Sequence, residues 1–134
     1  MANLLDVEGI GPVNAGKLKK AGVSSTDNLL KKGGTAAGRK DLAAKSGVSE
    51  KLILEWVNHV DLFRIKGVGE EYADLLEEAG VDTVVELAKR KADNLLAKMV
   101  EVNDKKNLVN KMPALSQVED WVAQAKKLPR AVSY

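Results

Sequence analysis

The chain has 134 residues, no cysteine and a single histidine, which excludes disulfides, thiolate metal sites, thiol nucleophiles and any multi-histidine centre within one chain. Lys and Arg number 21 against 19 Asp and Glu, and aromatic residues make up 4%. The chain is therefore neither a histone-like polycation nor a base-stacking platform, and any nucleic-acid patch must be local.

Taken in chain order, Met1 to Asp6 carries neither a basic n-region nor an apolar h-region, so no signal peptide is expected. No apolar run approaches the ~18 residues of a membrane span. The expectation is a cytoplasmic protein with no membrane partner. Val7-Glu8-Gly9-Ile10-Gly11-Pro12 reads as a tight turn, with Pro12 opening a helix at its first position. That helix stops at Gly22, because glycine adopts the left-handed conformation of a helix end without a Cβ penalty. Ser24, Thr35 and Ser49 are candidate caps for further short helices. Leu52, Ile53, Trp56, Val57 and Val60 recur at helical spacing. Ile65-Lys66-Gly67-Val68-Gly69-Glu70 is a second tight turn, and its helix stops at Gly80. Thr83 with Glu86 and Ser116 with Glu119 have capping-box spacing. Leu115, Val118, Trp121, Val122 and Ala125 form a second apolar stripe. No segment of strand length alternates, so the fold class expected is all-α.

The two turns belong to an internal repeat with an offset of 58 residues. Gly9/Gly67, Gly11/Gly69, Ala15/Ala73, Leu18/Leu76, Ala21/Ala79, Gly22/Gly80 and Val23/Val81 are identical pairs. The repeat divides the chain near residue 62 into repeat one, 1–62, and repeat two, 63–134. No Ser/Gly/Pro-rich linker separates them, so the expectation is one compact domain over 1–134 with additional short helices. Each turn leads into a helix N-terminus. Ile10 and Val68 are placed to anchor their loops inward, and Ala15 and Ala73 let neighbouring helices approach. Such a turn leaves backbone amides at the positive end of a helix, where an anion is favoured. It is not a Rossmann fingerprint, since no strand precedes it and no third glycine follows, nor a Walker A loop, since Gly-Lys-Ser/Thr is absent.

With these residues in view, the segment from Val7 through Ala15, Leu18 and Ala21-Gly22-Val23 resembles the helix-hairpin-helix motif, as does its copy from Ile65 to Val81. The chain as a whole, including Gly38-Arg39-Lys40-Asp41-Leu42-Ala43 and Leu54-Glu55-Trp56-Val57-Asn58, resembles the family catalogued as domain of unknown function 4332. The helix-hairpin-helix resemblance implies two such repeats and sequence-independent binding of double-stranded DNA, with turn amides donating to phosphates. In that class the turn carbonyls sometimes hold a potassium or sodium ion. No other cofactor and no other metal is expected.

Charge separates the two copies. Residues 12–32 hold Lys17, Lys19, Lys20, Lys31 and Lys32 against Asp27 alone. Residues 70–90 hold Lys89 and Arg90 against Glu70, Glu71, Asp74, Glu77, Glu78, Asp82 and Glu86. Phosphate affinity comes mainly from basic groups, so the expected phosphate site is Gly9, Ile10, Gly11, Asn14, Lys17 and Lys20. Gly67, Val68 and Gly69 are read as structural, or as a site for a basic partner. Val13-Asn14 stands where many DNA-binding relatives carry a basic residue. Trp56 and Trp121 read as core anchors, Tyr72 as a packed residue, His59 as packed or surface-exposed, and Arg39-Lys40, Lys89-Arg90-Lys91 and Lys105-Lys106 as solvated faces or, with Lys31 and Lys32, an extension of a basic stripe. There is no serine elbow, zinc motif or carboxylate cluster that can be placed in a cleft, and no enzyme is expected. The alternative to DNA binding is a protein-interaction or self-association module.

Overall fold

The computed structural model describes residues 3–7 and 9–134. Among them the regular structure is entirely helical: a 3₁₀ turn at Leu4–Asp6, then α1 (Pro12–Lys20), α2 (Thr26–Gly33), α3 (Ala36–Ser46), α4 (Glu50–Leu62), α5 (Glu70–Glu78), α6 (Val84–Ala88), α7 (Ala92–Lys106) and α8 (Leu115–Lys127). No helix among the described residues is long and apolar enough to cross a membrane. Two compact units are formed. One takes the described residues up to Asp61 together with Ala131–Tyr134, and the other takes Leu62–Arg130.

In the first unit α3 packs on α1 and α2, and Leu18, Leu29, Leu42, Ile53 and Val57 are buried. Gly33, at the end of α2, has no room for a side chain: a Cβ there would stand 2.7 Å from Val57 Cγ2. The extended C-terminal segment lies on the same unit. The Ser133 amide donates to the Gly34 carbonyl at 2.8 Å, and Val132 is buried. In the second unit α5 packs on α7, and α6 and α7 pack on α8. Leu75, Leu76, Leu87, Leu95, Met99, Val118 and Trp121 form its core.

The same local structure is built twice at the 58-residue offset. The Val23 amide donates to Leu18 O at 2.9 Å and the Gly22 amide to Lys19 O at 3.0 Å; the Val81 amide donates to Leu76 O at 2.8 Å and the Gly80 amide to Glu77 O at 3.0 Å. Both are Schellman ends, in which the amide of a left-handed glycine and the amide after it satisfy two of the last carbonyls. The next helix is then capped by Ser25, which accepts from the Asn28 amide, or by Thr83, which accepts from the Glu86 amide.

Some caps fall where the sequence places them and some do not. Thr35 accepts from the Gly38 amide at 3.0 Å and Ser49 from the Leu52 amide at 3.2 Å. Ser25, not Ser24, caps α2. The Ser116/Glu119 box is not formed: α8 already starts at Leu115, and Gln117 Oε1 instead accepts from the Ala114 amide at 2.9 Å. Both apolar stripes begin too early in the sequence reading: Leu52 and Leu115 are exposed, and the buried stripes start at Ile53, one residue later, and at Val118, about one turn later.

Gly16 lies inside α1 with nothing within 4 Å of an added Cβ. A mid-helix glycine costs roughly 0.5–1 kcal/mol relative to alanine. Gly16→Ala is therefore expected to stabilise the protein by about that amount, which thermal denaturation will show as a melting temperature a few degrees higher. A lower melting temperature would mean that this helix face is filled.

Candidate nucleic-acid interface

The site is built from the turn upward. Gly9 takes φ +88°, a conformation that costs an L-residue about 1–2 kcal/mol. A Cβ there would also stand 3.2 Å from Trp56 Nε1. Gly67 repeats this with φ +98° and Trp121 Nε1 at 3.0 Å. Each turn thus rests on an indole supplied by the last long helix of its unit, and Trp56 and Trp121 are buried. Ile10 and Val68 point inward and are buried. Glu8, which precedes the first turn in sequence, lies outside the described residues.

Gly11 is the N-cap of α1 and Pro12 its first residue. Helix geometry leaves the amides of Gly11, Val13 and Asn14 without an intrahelical acceptor, and α1 has no acidic residue in its first turn. The Ile10 amide is different: it donates to the Val7 carbonyl at 3.0 Å. Among the expected phosphate residues Ile10 is therefore an anchor, and its amide is already committed inside the turn. The Asn14 side chain donates from Nδ2 to the Gly9 carbonyl at 3.4 Å, strapping the turn to the helix.

Lys17 and Lys20 are exposed and lie with Lys19 in the last turn of α1. The helical rise puts them about 7 and 12 Å along the axis from Pro12. One anion cannot be held by the amides and Lys20 together. A chain of anions running along α1 can meet the amides with one group and the lysines with the next. Lys32 is not part of such a stripe, because its Nζ donates to the Gly22 carbonyl at 2.8 Å. Its counterpart Arg90 donates from Nη2 to the Gly80 carbonyl at 3.0 Å. Arg39 is not a solvated face either: it is 5% exposed and donates to the carbonyls of Gly33 and Ser133.

The second turn has the same backbone and opposite chemistry. Glu70 and Glu71 stand exposed in the first turn of α5, where they suit the helix dipole and repel an anion. The turn is pinned from α8, since Gln124 Oε1 accepts from the Lys66 amide at 2.9 Å and Gln124 Nε2 donates to the Lys66 carbonyl at 3.1 Å. The Val68 amide is spent on Ile65 O at 3.1 Å. Tyr72 packs on Trp121 with ring centroids 5.3 Å apart, and its hydroxyl donates to the Lys111 carbonyl at 3.0 Å. His59 is buried. The Gln124 pin and the spent carbonyls could not be read from composition or spacing; the 58-residue offset linking Lys32 to Arg90 was the one available signal.

The chain belongs to the family described as Domain of unknown function (DUF4332), whose model matches residues 8–128. No curated protein and no solved structure matches.

Proposed function

We propose that this member of a family without an assigned activity is a non-enzymatic cytoplasmic protein with two helix-hairpin-helix repeats, and that it binds double-stranded DNA weakly and without sequence preference through the first repeat. One observation carries the reading: α1 opens on three amides with no carboxylate in its first turn and ends on three lysines, whereas the equivalent α5 opens on Glu70 and Glu71. Amides and lysines contact phosphates, which position a protein without specifying bases. Gly67, Val68 and Gly69 serve the fold in this reading.

The test is fluorescence anisotropy on two unrelated duplexes across a salt titration. With ~3–4 phosphates neutralised, log K should fall with log salt at a slope of roughly −3, equally for both duplexes. Gly11→Glu is a clean probe, because Gly11 has negative φ and nothing stands within 4 Å of its Cβ position. It should weaken binding about tenfold or more by setting a carboxylate among the amides, as Lys17→Glu should by reversing a contact. Gly69→Glu, equally unstrained, should leave affinity unchanged. A strong preference for one duplex, equal losses from the two glycine variants, or no binding by folded protein at low salt would each overturn the reading.

A further inference from the structure

Helices α1 and α5 occupy equivalent places in the repeat and carry opposite charges. On α1 the exposed cations are Lys17, Lys19 and Lys20, with no acidic residue anywhere in the helix. On α5 the exposed anions include Glu70 and Glu71, with no basic residue in the helix. None of these five side chains has a hydrogen bond or ion pair among the described residues. Glu78 on the same helix, by contrast, is held by Lys106 at 2.6 Å. The lysines sit at the C-terminal end of α1 and the glutamates at the N-terminal end of α5. Each set already suits its own helix dipole, and two such helices laid antiparallel bring them together with both dipoles opposed favourably. Beside the lysines, α1 offers a shallow open groove of about 450 Å³ lined by Leu4, Leu5, Pro12, Ala15, Gly16 and Lys19. The missing side chain at Gly16, with nothing within 4 Å of it, lets a second backbone come close.

We infer that the basic face of α1 docks a second copy of this chain, antiparallel against its α5, with Lys17, Lys19 and Lys20 facing Glu70 and Glu71. The contact joins two different surfaces of the same chain, so each one leaves an α5 on one copy and an α1 on the other, which either pair with each other to close a dimer or recruit further copies. It stands independently of DNA binding and uses some of the same lysines. Because the charges are exposed, the contact is salt-dependent: the screening length falls from about 30 Å at 10 mM salt to about 3 Å at 1 M.

Sedimentation velocity on the nucleic-acid-free full chain tests it. Mass above the monomer should grow with protein concentration at low salt and return to the monomer at high salt. Lys19→Glu/Lys20→Glu alone and Glu70→Lys/Glu71→Lys alone should each stay monomeric. An equimolar mixture of the two should assemble again, since each variant then presents the surface that the other needs, and this recovery also shows that both are folded. A wild-type chain that stays monomeric at low salt, single variants that assemble like wild type, or a mixture that does not recover would overturn the inference. None of these outcomes depends on the anisotropy result with duplexes.

Discussion

Trp121→Ala is expected to cost about 3–5 kcal/mol, the range for deleting a large buried aromatic from a packed core. Native domains hold only about 5–15 kcal/mol in total, so the loss is a large share of the stability available. The loss has three named parts. Trp121 is 1% exposed within the cluster that contains Leu76, Leu87, Met99 and Val118. It carries the Tyr72 ring at 5.3 Å. It also fills the space beneath Gly67, whose absent Cβ would approach the indole nitrogen to 3.0 Å. Trp121→Phe keeps the ring contact but not the reach to Gly67, and should fall between wild type and alanine. Gly67→Ala attacks the same contact from the other side, through both the +98° φ and the indole, and should cost about 1–3 kcal/mol. Denaturant unfolding followed by circular dichroism measures all three. A Trp121→Ala variant within about 1 kcal/mol of wild type would show that the indole is not the anchor of the turn.

Positions that demand a special backbone geometry are the ones legible in the sequence. The turn glycines, the Pro12 start and the Gly22 and Gly80 stops could be read because each needs a particular backbone angle or a missing amide, and few residue types supply it. Trp56 and Trp121 could be read as core from helical periodicity. The caps were harder. Ser24 and Ser25 are chemically alike, but it is the Ser25 hydroxyl that accepts from the Asn28 amide, while the Ser24 hydroxyl donates to the Asn28 side chain. At α8 the helix starts one residue before Ser116, and Gln117, which is not a serine or an acid, closes the first turn. The candidate site was legible as charge and spacing only. Which amides face outward depends on the turn, and the Ile10 amide turned inward to Val7. Which lysines remain available depends on tertiary contacts, and Lys32 was spent on a carbonyl ten residues away in sequence. Arg39 looked like one of a pair of solvated cations beside Lys40. Its burial follows from a segment nearly a hundred residues later, beyond the reach of local pattern.

That segment gives the second large expected effect. Arg39 donates from Nη1 to the Gly33 carbonyl at 2.9 Å and from Nη2 to the Ser133 carbonyl at 2.6 Å. A buried guanidinium is tolerable only when its donors are satisfied, and here the satisfying groups are a helix-end carbonyl and the returning chain. The chain is seated further by the Ser133 amide on Gly34 O at 2.8 Å, by buried Val132, and by the bare α-carbon of Gly34, where a Cβ would meet the Ala131 carbonyl at 2.5 Å. Arg39→Ala should cost about 2–4 kcal/mol, since it removes two charge-assisted bonds and strands two carbonyls. Deleting residues 131–134 should cost a comparable amount, through the loss of Val132 burial and the bonds to Gly34, and it leaves one arm of Arg39 without its acceptor. Because both changes break the bond between Arg39 and Ser133, they should be less than additive when combined, with a coupling of about 1 kcal/mol or more. Denaturant unfolding of the four proteins in the cycle measures this coupling. Strict additivity would show that Arg39 and the C-terminal segment stabilise the first unit separately, and that the bond between them contributes nothing of its own.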